Sequence, residues 1–243
     1  MVFMDLLEPQ NIGVKYMSKD CPIRGKAIYL DCIECEEKEC KKSTQYDQII
    51  IGIDQSYKRT GVTVIVDSKI RTIRSKDLSK YKSKSDCRRA LRNFLDGLLR
   101  SIIGRAKNIT CIIERIRLRS QGFININYIK SIGALNATIV DLMSEYNIPV
   151  YSVDTRCWKA TVIGTSKPES NNFGVPEEKW PTVKWVCDQG FKSSILLTIS
   201  TRKTKGTFTR KGKKYMFDND AADSCGIAMF GVIGDKDKLE LET

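Results

Sequence analysis

Four acidic residues stand at positions where an unpaired carboxylate would be costly. Asp54 and Glu114 each end a run of isoleucine-rich residues, 49–53 and 109–113. Such near-continuous apolar runs are typical of strands that are covered on both faces. Asp220 and Asp223 lie three residues apart at the start of an apolar C-terminal segment, a spacing that puts them on one helix face.

These acids predict a metal site if they meet in space. The chain has no His, so a metal ligand or a general base must be a carboxylate, a thiolate or an amine. Hard carboxylate oxygens suit Mg²⁺ or Mn²⁺. Two such ions about 4 Å apart activate water and stabilise the leaving oxygen in phosphodiester hydrolysis. We therefore expect two ions per active site, held by Asp54, Glu114, Asp220 and Asp223.

Each acid also has a simpler interpretation. Asp54 can accept hydrogen bonds from backbone amides at a strand end, and Glu114 can pair with Arg115 or Arg117. An acid such as Asp218 can cap the last helix. Capping does not require a further acid one turn into an apolar helix, so the four positions together favour the metal site.

The elements that must position these acids follow from the hydrophobic pattern. The pattern predicts an α/β fold around a mixed five-stranded sheet, in the order β-β-β-α-β-α-β-α-α as far as residue 189, with a final helix at 218–230. A right-handed crossover would place the strand of Glu114 beside that of Asp54. The predicted strands are 48–54, 62–66, 70–73, 109–114 and 149–153, and the predicted helices are 87–102, 125–146, 154–163, 181–189 and 218–230.

The charge balance indicates a polyanionic partner. The 243 residues include 41 Lys and Arg against 29 Asp and Glu, a formal charge of +12. Such an excess favours nucleic acid over an anionic membrane surface. No run of about 18 apolar residues predicts a membrane span, and no signal peptide is evident at the N-terminus. We expect a cytoplasmic protein of a prokaryotic or phage-infected cell, without a membrane partner.

A cysteine cluster predicts a small zinc module ahead of the main domain. Cys21, Cys32, Cys35 and Cys40 follow the spacing C-x10-C-x2-C-x4-C, and four thiolates form a closed structural zinc site. The alternative is four unrelated thiols in a loop. The predicted organisation is a leader at 1–20, the zinc module at 21–44, the main domain at 45–235 and a frayed polar tail at 236–243.

A basic insert at 192–217 interrupts the α/β pattern. It predicts a strand near 195–200 and a hairpin around Gly206. Uncompensated cations so close together repel one another unless a polyanion binds them; the alternative is a solvated flexible loop. The cations of this run are Arg202, Lys203, Lys205, Arg210, Lys211, Lys213 and Lys214.

Three segments together resemble the RuvC family of Holliday junction resolvases, within the ribonuclease H-like superfamily. IGIDQSYKRTGVTVI is similar to the first-strand motif of that family, and DNDAADSCGIAMF to its terminal acidic motif. Between them, the segment that begins IIERIRLRS and ends WKATVIGT is similar in length and pattern to the family's Glu strand, small-residue helix, strand and lysine-bearing helix. The resemblance spans residues 49–233.

The resemblance implies a fold, a chemistry and partners. It implies a ribonuclease H-like sheet, Mg²⁺-dependent cleavage of branched DNA that leaves 5′-phosphates, and a homodimer with 126–143 at its interface. The four acids would bind the metal ions, and Lys159 would lie near the scissile phosphate. Residues expected to contact DNA are Arg115, Arg117, Arg119 and Phe123, together with the basic run.

The chain departs from the bacterial members of that family in three places. The cysteine module and the basic insert are additions, and Arg117 occupies the position of an aromatic wedge, for which nearby Phe123 is a substitute. The additions and the small size suggest a phage-type member. Three rivals remain: a phosphate-transfer enzyme of the actin and sugar-kinase type, a non-catalytic junction-binding protein, and a nuclease acting on flaps, three-way junctions or RNA-containing duplexes.

Overall fold

The central strand of the sheet is one of the most apolar stretches of the chain. The computed structural model describes residues 46–116, 126–165, 167–199, 206–210 and 213–242, all within the unit Thr44–Thr243. Strand β1 covers Tyr46–Asp54, and its last six residues are consecutively buried. Burial of neighbouring residues means that both faces of β1 are covered, as the isoleucine run predicts.

Three antiparallel strands form one half of the main sheet. β1 pairs with β2, Arg59–Val66, which pairs with β3, Lys69–Asp77. Asp67 and Ser68 connect β2 to β3 with φ of 45° and 66°, the conformation of the tight two-residue turns that match strand twist. This turn joins the two strands predicted at 62–66 and 70–73.

Helical crossovers build the parallel half of the sheet. Helix α1, Lys84–Ile102, leads to β4, Ala106–Glu114, which runs parallel to β1. Helix α2, Ile126–Glu145, leads to β5, Val150–Val153, which runs parallel to β4. The strand of Glu114 therefore lies beside the strand of Asp54, as predicted.

The main sheet has six strands, one more than the sequence predicts. Its order is β3-β2-β1-β4-β5-β9, and β9 is the short segment Glu240–Glu242 within the tail predicted to fray. β9 pairs antiparallel with β5 through backbone groups. This pairing needs no apolar side chains, only an open sheet edge, so hydrophobic patterning did not predict it.

Helix α5, Asn219–Ile233, packs across β1 and β2 at close range. A Cβ atom at Gly61 would clash with the backbone of Asp220, and one at Gly52 would clash with the backbone of Ser224 and Ala228. Glycine at these two strand positions therefore allows the helix backbone to approach the sheet directly. This close approach brings the acidic first turn of α5 to the sheet.

The segment between β5 and α5 consists of short elements. Helix α3, Thr155–Trp158, continues as a π-helical turn, Lys159–Ile163, and ends at Gly164 with φ of 81°. Helix α4, Trp180–Asp188, has Pro181 in its first turn, as predicted. Within the described residues, none of the helices has the length and apolar composition that a bilayer-spanning segment needs.

A second, three-stranded sheet occupies the predicted basic insert. It consists of β6, Leu196–Ile199, β7, Phe208–Arg210, and β8, Lys213–Phe217, in the order β6-β8-β7. β8 lies between β6 and β7 and pairs with both. The sequence predicted a hairpin around Gly206, but the strands on either side of that residue, β6 and β7, are separated by β8. The rings of Phe173, Trp180, Phe208, Tyr215 and Phe217 pack against one another beside this sheet.

Candidate active site

Asp54 and Glu114 lie at the carboxyl ends of neighbouring parallel strands. The register pairs Ile53 of β1 with Ile113 of β4, and the two acids are the next residues on their strands. Since parallel strands end at the same edge of a sheet, both side chains belong to this edge. Asp54 is buried, with 9% of its surface exposed, so its charge is largely removed from water.

The first turn of α5 brings two further acids to the same edge. Asp218 caps the helix, because its carboxylate accepts a hydrogen bond from the Ala221 amide at 3.1 Å. Gly61 is paired with Asp54 across the β1–β2 ladder and lies against the Asp220 backbone. Asp223 follows one turn later and is buried. Asp218 therefore has the predicted capping role, and Asp220 and Asp223 remain free for another.

The carboxyl groups influence one another's ionisation. Burial raises the pKa of Asp54 well above its usual value, and the negative charges of Asp223, Glu114 and Asp220 raise it further. Burial likewise raises the pKa of Glu114, and it raises that of Asp220 to about 6. Such mutual repulsion requires that the groups lie near one another. The structure therefore brings the four predicted acids together at one edge.

A lysine that the sequence did not predict lies among these acids. The Lys179 ammonium forms an ion pair and a hydrogen bond with the Asp223 carboxylate. Burial disfavours its charge, yet Asp223, Asp54 and Glu114 together raise the pKa of Lys179 above its ordinary value. The same ammonium lowers the pKa of Asp54 against the effect of burial. Lys179 therefore supplies positive charge to the carboxylate cluster.

The donor set fits a hard divalent cation. The four carboxylates offer only oxygen ligands, and Asp223 Oδ1 is buried without a hydrogen-bond partner among the described residues. With the side chains in these positions, no three Asp, Glu, Cys or His residues in the described part of the chain form a group that could hold a metal ion. The Lys179 ammonium partly offsets their charge instead.

Neutral donors fix Glu114. Its Oε1 accepts a hydrogen bond from the Thr155 hydroxyl at 2.7 Å, and its Oε2 accepts one from the Trp158 indole at 3.3 Å. The Gln55 side chain holds the backbone of the same residue, because its amide donates to the Glu114 carbonyl at 2.5 Å and its oxygen accepts from the Glu114 amide at 3.3 Å. Glu114 is thus held from both ends.

The structure gives two of the other predicted site residues protein partners. Lys159 is buried, and its ammonium donates to the Glu178 carbonyl at 2.9 Å and lies over the Trp158 ring. Arg115 pairs with Glu240 of β9 at 2.8 Å. Glu114 therefore does not need the arginine partner that was considered for it, and phosphate contact by Lys159 or Arg115 would require these bonds to open.

The remaining predicted residues divide between the second sheet and the part of the chain that the structure does not describe. Lys213 is exposed and Lys214 half-buried on β8, and Arg210 ends β7. The others lie outside the described residues, so their predicted roles stay predictions. They are Cys21, Cys32, Cys35 and Cys40 of the zinc module, and Arg117, Arg119, Phe123, Arg202, Lys203, Lys205 and Lys211 of the DNA-contacting set.

Sequence reasoning missed Lys179, Gln55, Thr155 and Trp158. Lys179 follows two glutamates in a Glu-Glu-Lys run, which reads as a solvated surface segment. The one available signal for Thr155 was its place directly after Asp154, where the predicted strand 149–153 gives way to the predicted helix 154–163; in the structure Asp154 caps this helix. An element that begins at a strand end commonly faces the same edge as the neighbouring strand ends.

Comparisons with known proteins find a match for the fold of this chain but none for its sequence. No protein-family model matches the chain, and no curated protein matches it. The structure of T. thermophilus RuvC in complex with a Holliday junction substrate matches with a TM-score of 0.52 and 13% identity, covering 80% of this chain and 99% of that chain. A second Thermus thermophilus RuvC structure gives 0.48 at 12% identity with the same coverage.

A third solved structure, an exopolyphosphatase from Cytophaga hutchinsonii, matches with a TM-score of only 0.31 over 48% of this chain and 38% of that chain. That likeness is too slight to support any relationship. At 13% identity, the first RuvC match concerns the fold and not individual residues. Its coverage agrees with the six-stranded mixed sheet and flanking helices described above. The described chain therefore has the fold of RuvC, the ribonuclease H-like fold predicted from its motifs.

Proposed function

We propose that this chain is a divalent-metal-dependent endonuclease that cuts branched DNA, with Holliday junctions as its principal substrate. The observation that carries the proposal is the cluster of buried and half-buried carboxylates at one sheet edge of a RuvC fold. A protein with that fold is known in complex with a Holliday junction substrate. The formal charge of +12 adds attraction for nucleic acid.

Each residue of the cluster has a role in this proposal. Asp54, Glu114, Asp220 and Asp223 would hold Mg²⁺ or Mn²⁺. Bound ions of this kind activate water and stabilise the leaving oxygen in phosphodiester hydrolysis, here leaving 5′-phosphates. Thr155 and Trp158 orient Glu114. Lys179 offsets the negative charge of the cluster, which favours the ionised carboxylates.

Contacts with DNA would surround this centre. Lys213 is exposed on the second sheet, and the rest of the basic run would extend the contact along a DNA arm. Arg117, Arg119 and Phe123 would lie near the junction, and Lys159 near the scissile phosphate. The zinc module at 21–44, a homodimer formed through 126–143, and action in the cytoplasm complete the proposal.

Substitution of Asp54 by Asn tests the proposal directly. We expect cleavage of a labelled four-way junction in Mg²⁺ to fall at least about a thousandfold, because a ligand charge is lost at the reacting centre. Junction binding in EDTA should remain. Asp47→Asn is the matched control, since Asp47 is an exposed acid at the other end of the same strand.

The substrate range needs its own comparison. Four-way, three-way, flap, RNA-containing and linear duplexes should be incubated with and without Mg²⁺ and the cuts mapped. Preferential paired cuts in the four-way junction are the expected result. Equal cutting of linear duplex, or normal cutting by the Asp54→Asn variant, would refute the assignment.

The ion pair between Lys179 and Asp223 favours one alternative function. A protein that binds junctions without cutting them can neutralise an acidic cluster permanently with a lysine. Such a protein would bind four-way junctions tightly yet yield no nick at any Mg²⁺ or Mn²⁺ concentration. The cleavage assay above therefore separates the two functions.

A further inference from the structure

A lysine-rich surface lies next to the carboxylate cluster but outside the basic insert. Between Ser68 and Ser85 the chain has seven Lys and Arg residues and a single acid, Asp77. That acid is already engaged, since it pairs with Arg59 at 3.4 Å and accepts a hydrogen bond from the Ser79 hydroxyl at 2.6 Å. The positive charge of this segment is therefore largely uncompensated locally.

Strand register places this segment at the same edge as the acids. Asp54 pairs with Gly61, and Gly61 pairs with Ser75 of β3. Adjacent strands lie about 4.8 Å apart, so Ser75 is about 10 Å from Asp54. The connector 78–83, between β3 and α1, begins three residues later. Its cations therefore emerge beside the candidate active site.

The connector is held in one shape. Leu78 is fully buried, and the amides of Leu78 and Ser79 both donate to the Lys58 carbonyl, at 2.9 and 3.1 Å. The Tyr81 amide then donates to the Leu78 carbonyl at 3.1 Å. These bonds fasten the connector to the β1–β2 turn, which carries Lys58, so the cations on both segments belong to one surface.

Three lysines project from this fastened surface. Lys58, Lys80 and Lys82 are exposed, and none of the three forms an ion pair with another residue that the structure describes. Lys58 lies four residues after Asp54, so its Cα is within about 14 Å of that of Asp54. We call Lys58, Lys80 and Lys82 the connector lysines.

We propose that the connector lysines bind the phosphate backbone of a duplex DNA arm beside the scissile strand. The inference rests on the proposed function and adds a contact surface to it. Duplex DNA rises 3.4 Å per base pair, so a surface about 10 to 20 Å from the carboxylates meets phosphates about three to six base pairs away. A fixed backbone suits this task, because the chain that carries the cations need not be ordered on binding and only the lysine side chains lose freedom.

The test compares two triple variants with the same loss of charge. The first carries Lys58→Gln, Lys80→Gln and Lys82→Gln. The control carries Lys69→Gln, Arg105→Gln and Lys107→Gln, which belong to the opposite edge of the same sheet. Affinity for a four-way junction is measured in EDTA between about 50 and 200 mM salt.

The connector variant should lose about 2 to 3 units from the slope of log affinity against log salt, and at least about tenfold in affinity at the lowest salt. The control should keep the wild-type slope within about one unit. Equal slopes for the two variants would overturn the inference while leaving the proposed function intact. Absence of junction binding by the wild-type protein would instead overturn the proposed function. If the connector variant unfolds, the Lys80→Gln, Lys82→Gln double variant replaces it, with an expected slope loss of about 2.

Discussion

Different kinds of interaction hold the two sides of the carboxylate cluster. On one side, Glu114 is oriented by neutral donors, the Thr155 hydroxyl and the Trp158 indole. On the other side, Asp223 is held by the positive charge of Lys179. Both acids lie among buried groups, yet among the residues that the structure describes only Lys179, on the Asp223 side, is a cation that a metal ion would have to displace or rearrange.

This difference allows the effect of carboxylate orientation to be separated from the effect of a nearby positive charge. A neutral hydrogen bond fixes where a carboxylate points and changes little with salt. An ammonium changes how readily a nearby carboxyl group ionises, and the charge of Lys179 lowers the pKa values of Asp54, Glu114 and Asp220 against the effect of burial. Loss of Lys179 should therefore affect the whole cluster, whereas loss of a donor to Glu114 should act on one residue.

Among the changes that test this comparison of the two sides, replacing Lys179 with Met should give the largest effect. Without the ammonium, the pKa values of Asp54, Glu114 and Asp220 should rise further, so fewer carboxylates are ionised near neutral pH. We expect single-turnover cleavage at pH 7 to fall about a hundredfold and the pH–rate profile to move to higher pH. The measurement is cleavage of a four-way junction across the pH range in excess Mg²⁺.

Two companion variants make this result specific to charge at one position. Lys179→Arg keeps a cation and should retain the wild-type pH profile. Lys184→Met removes an exposed lysine of α4 that pairs with Glu169 at the surface, and it should leave the profile unchanged. An unshifted profile for Lys179→Met would show that the ammonium does not control the ionisation of the cluster.

Asp220 provides a test of stability against pH. Burial, opposed by Lys179 and reinforced by the charges of Asp218 and Asp223, raises its pKa from 3.8 to about 6. The folded protein therefore binds a proton that the unfolded chain has released between about pH 4 and pH 6, and the contribution of Asp220 to stability falls as pH rises through that window. Above that window, the folded protein bears the full free-energy cost of keeping Asp220 ionised.

Asp220→Asn removes this penalty from the metal-free protein. We expect the free energy of unfolding in EDTA to rise by about 2 kcal/mol at pH 7.5 relative to wild type. The gain should shrink as pH falls towards 4 and disappear below it, where the carboxyl group is protonated in both states. Urea unfolding of both proteins at several pH values measures it, and a gain that stays constant with pH would contradict the assigned cause.

Residue patterns predicted the part of the site that regular strands and the last helix position. Apolar runs ending in Asp54 and Glu114 indicated buried strand ends, and the spacing of Asp220 and Asp223 indicated one helix face. These inferences depend only on local periodicity and on the handedness of crossovers. The same reasoning located five of the six strands of the main sheet.

The part of the site that the sequence did not predict depends on where short, irregular segments of the chain lie in the folded structure. The resemblance to the RuvC family implied that Lys159 lies near the scissile phosphate. In the structure its helix becomes a π-helical turn, and its ammonium donates to the Glu178 carbonyl. Lys179 follows Glu178 directly and reaches Asp223 from the far end of a long connection. No local pattern encodes such a meeting, because tertiary packing fixes it.

Trp158→Phe should give the smallest effect and tests the neutral side of the comparison. Phenylalanine fills most of the space of the fully buried indole but removes the donor to Glu114 Oε2. We expect about a tenfold loss of cleavage and about 1 kcal/mol of stability, with Thr155 still holding the other oxygen. Trp185→Phe on α4 is the control, and its cleavage rate should stay near wild type.

Because only one residue loses a partner, the pH–rate profile of Trp158→Phe should move less than that of Lys179→Met. A loss as large and as pH-dependent as that of Lys179→Met would mean that the two sides of the cluster act as one unit, and that orientation and charge cannot be separated there.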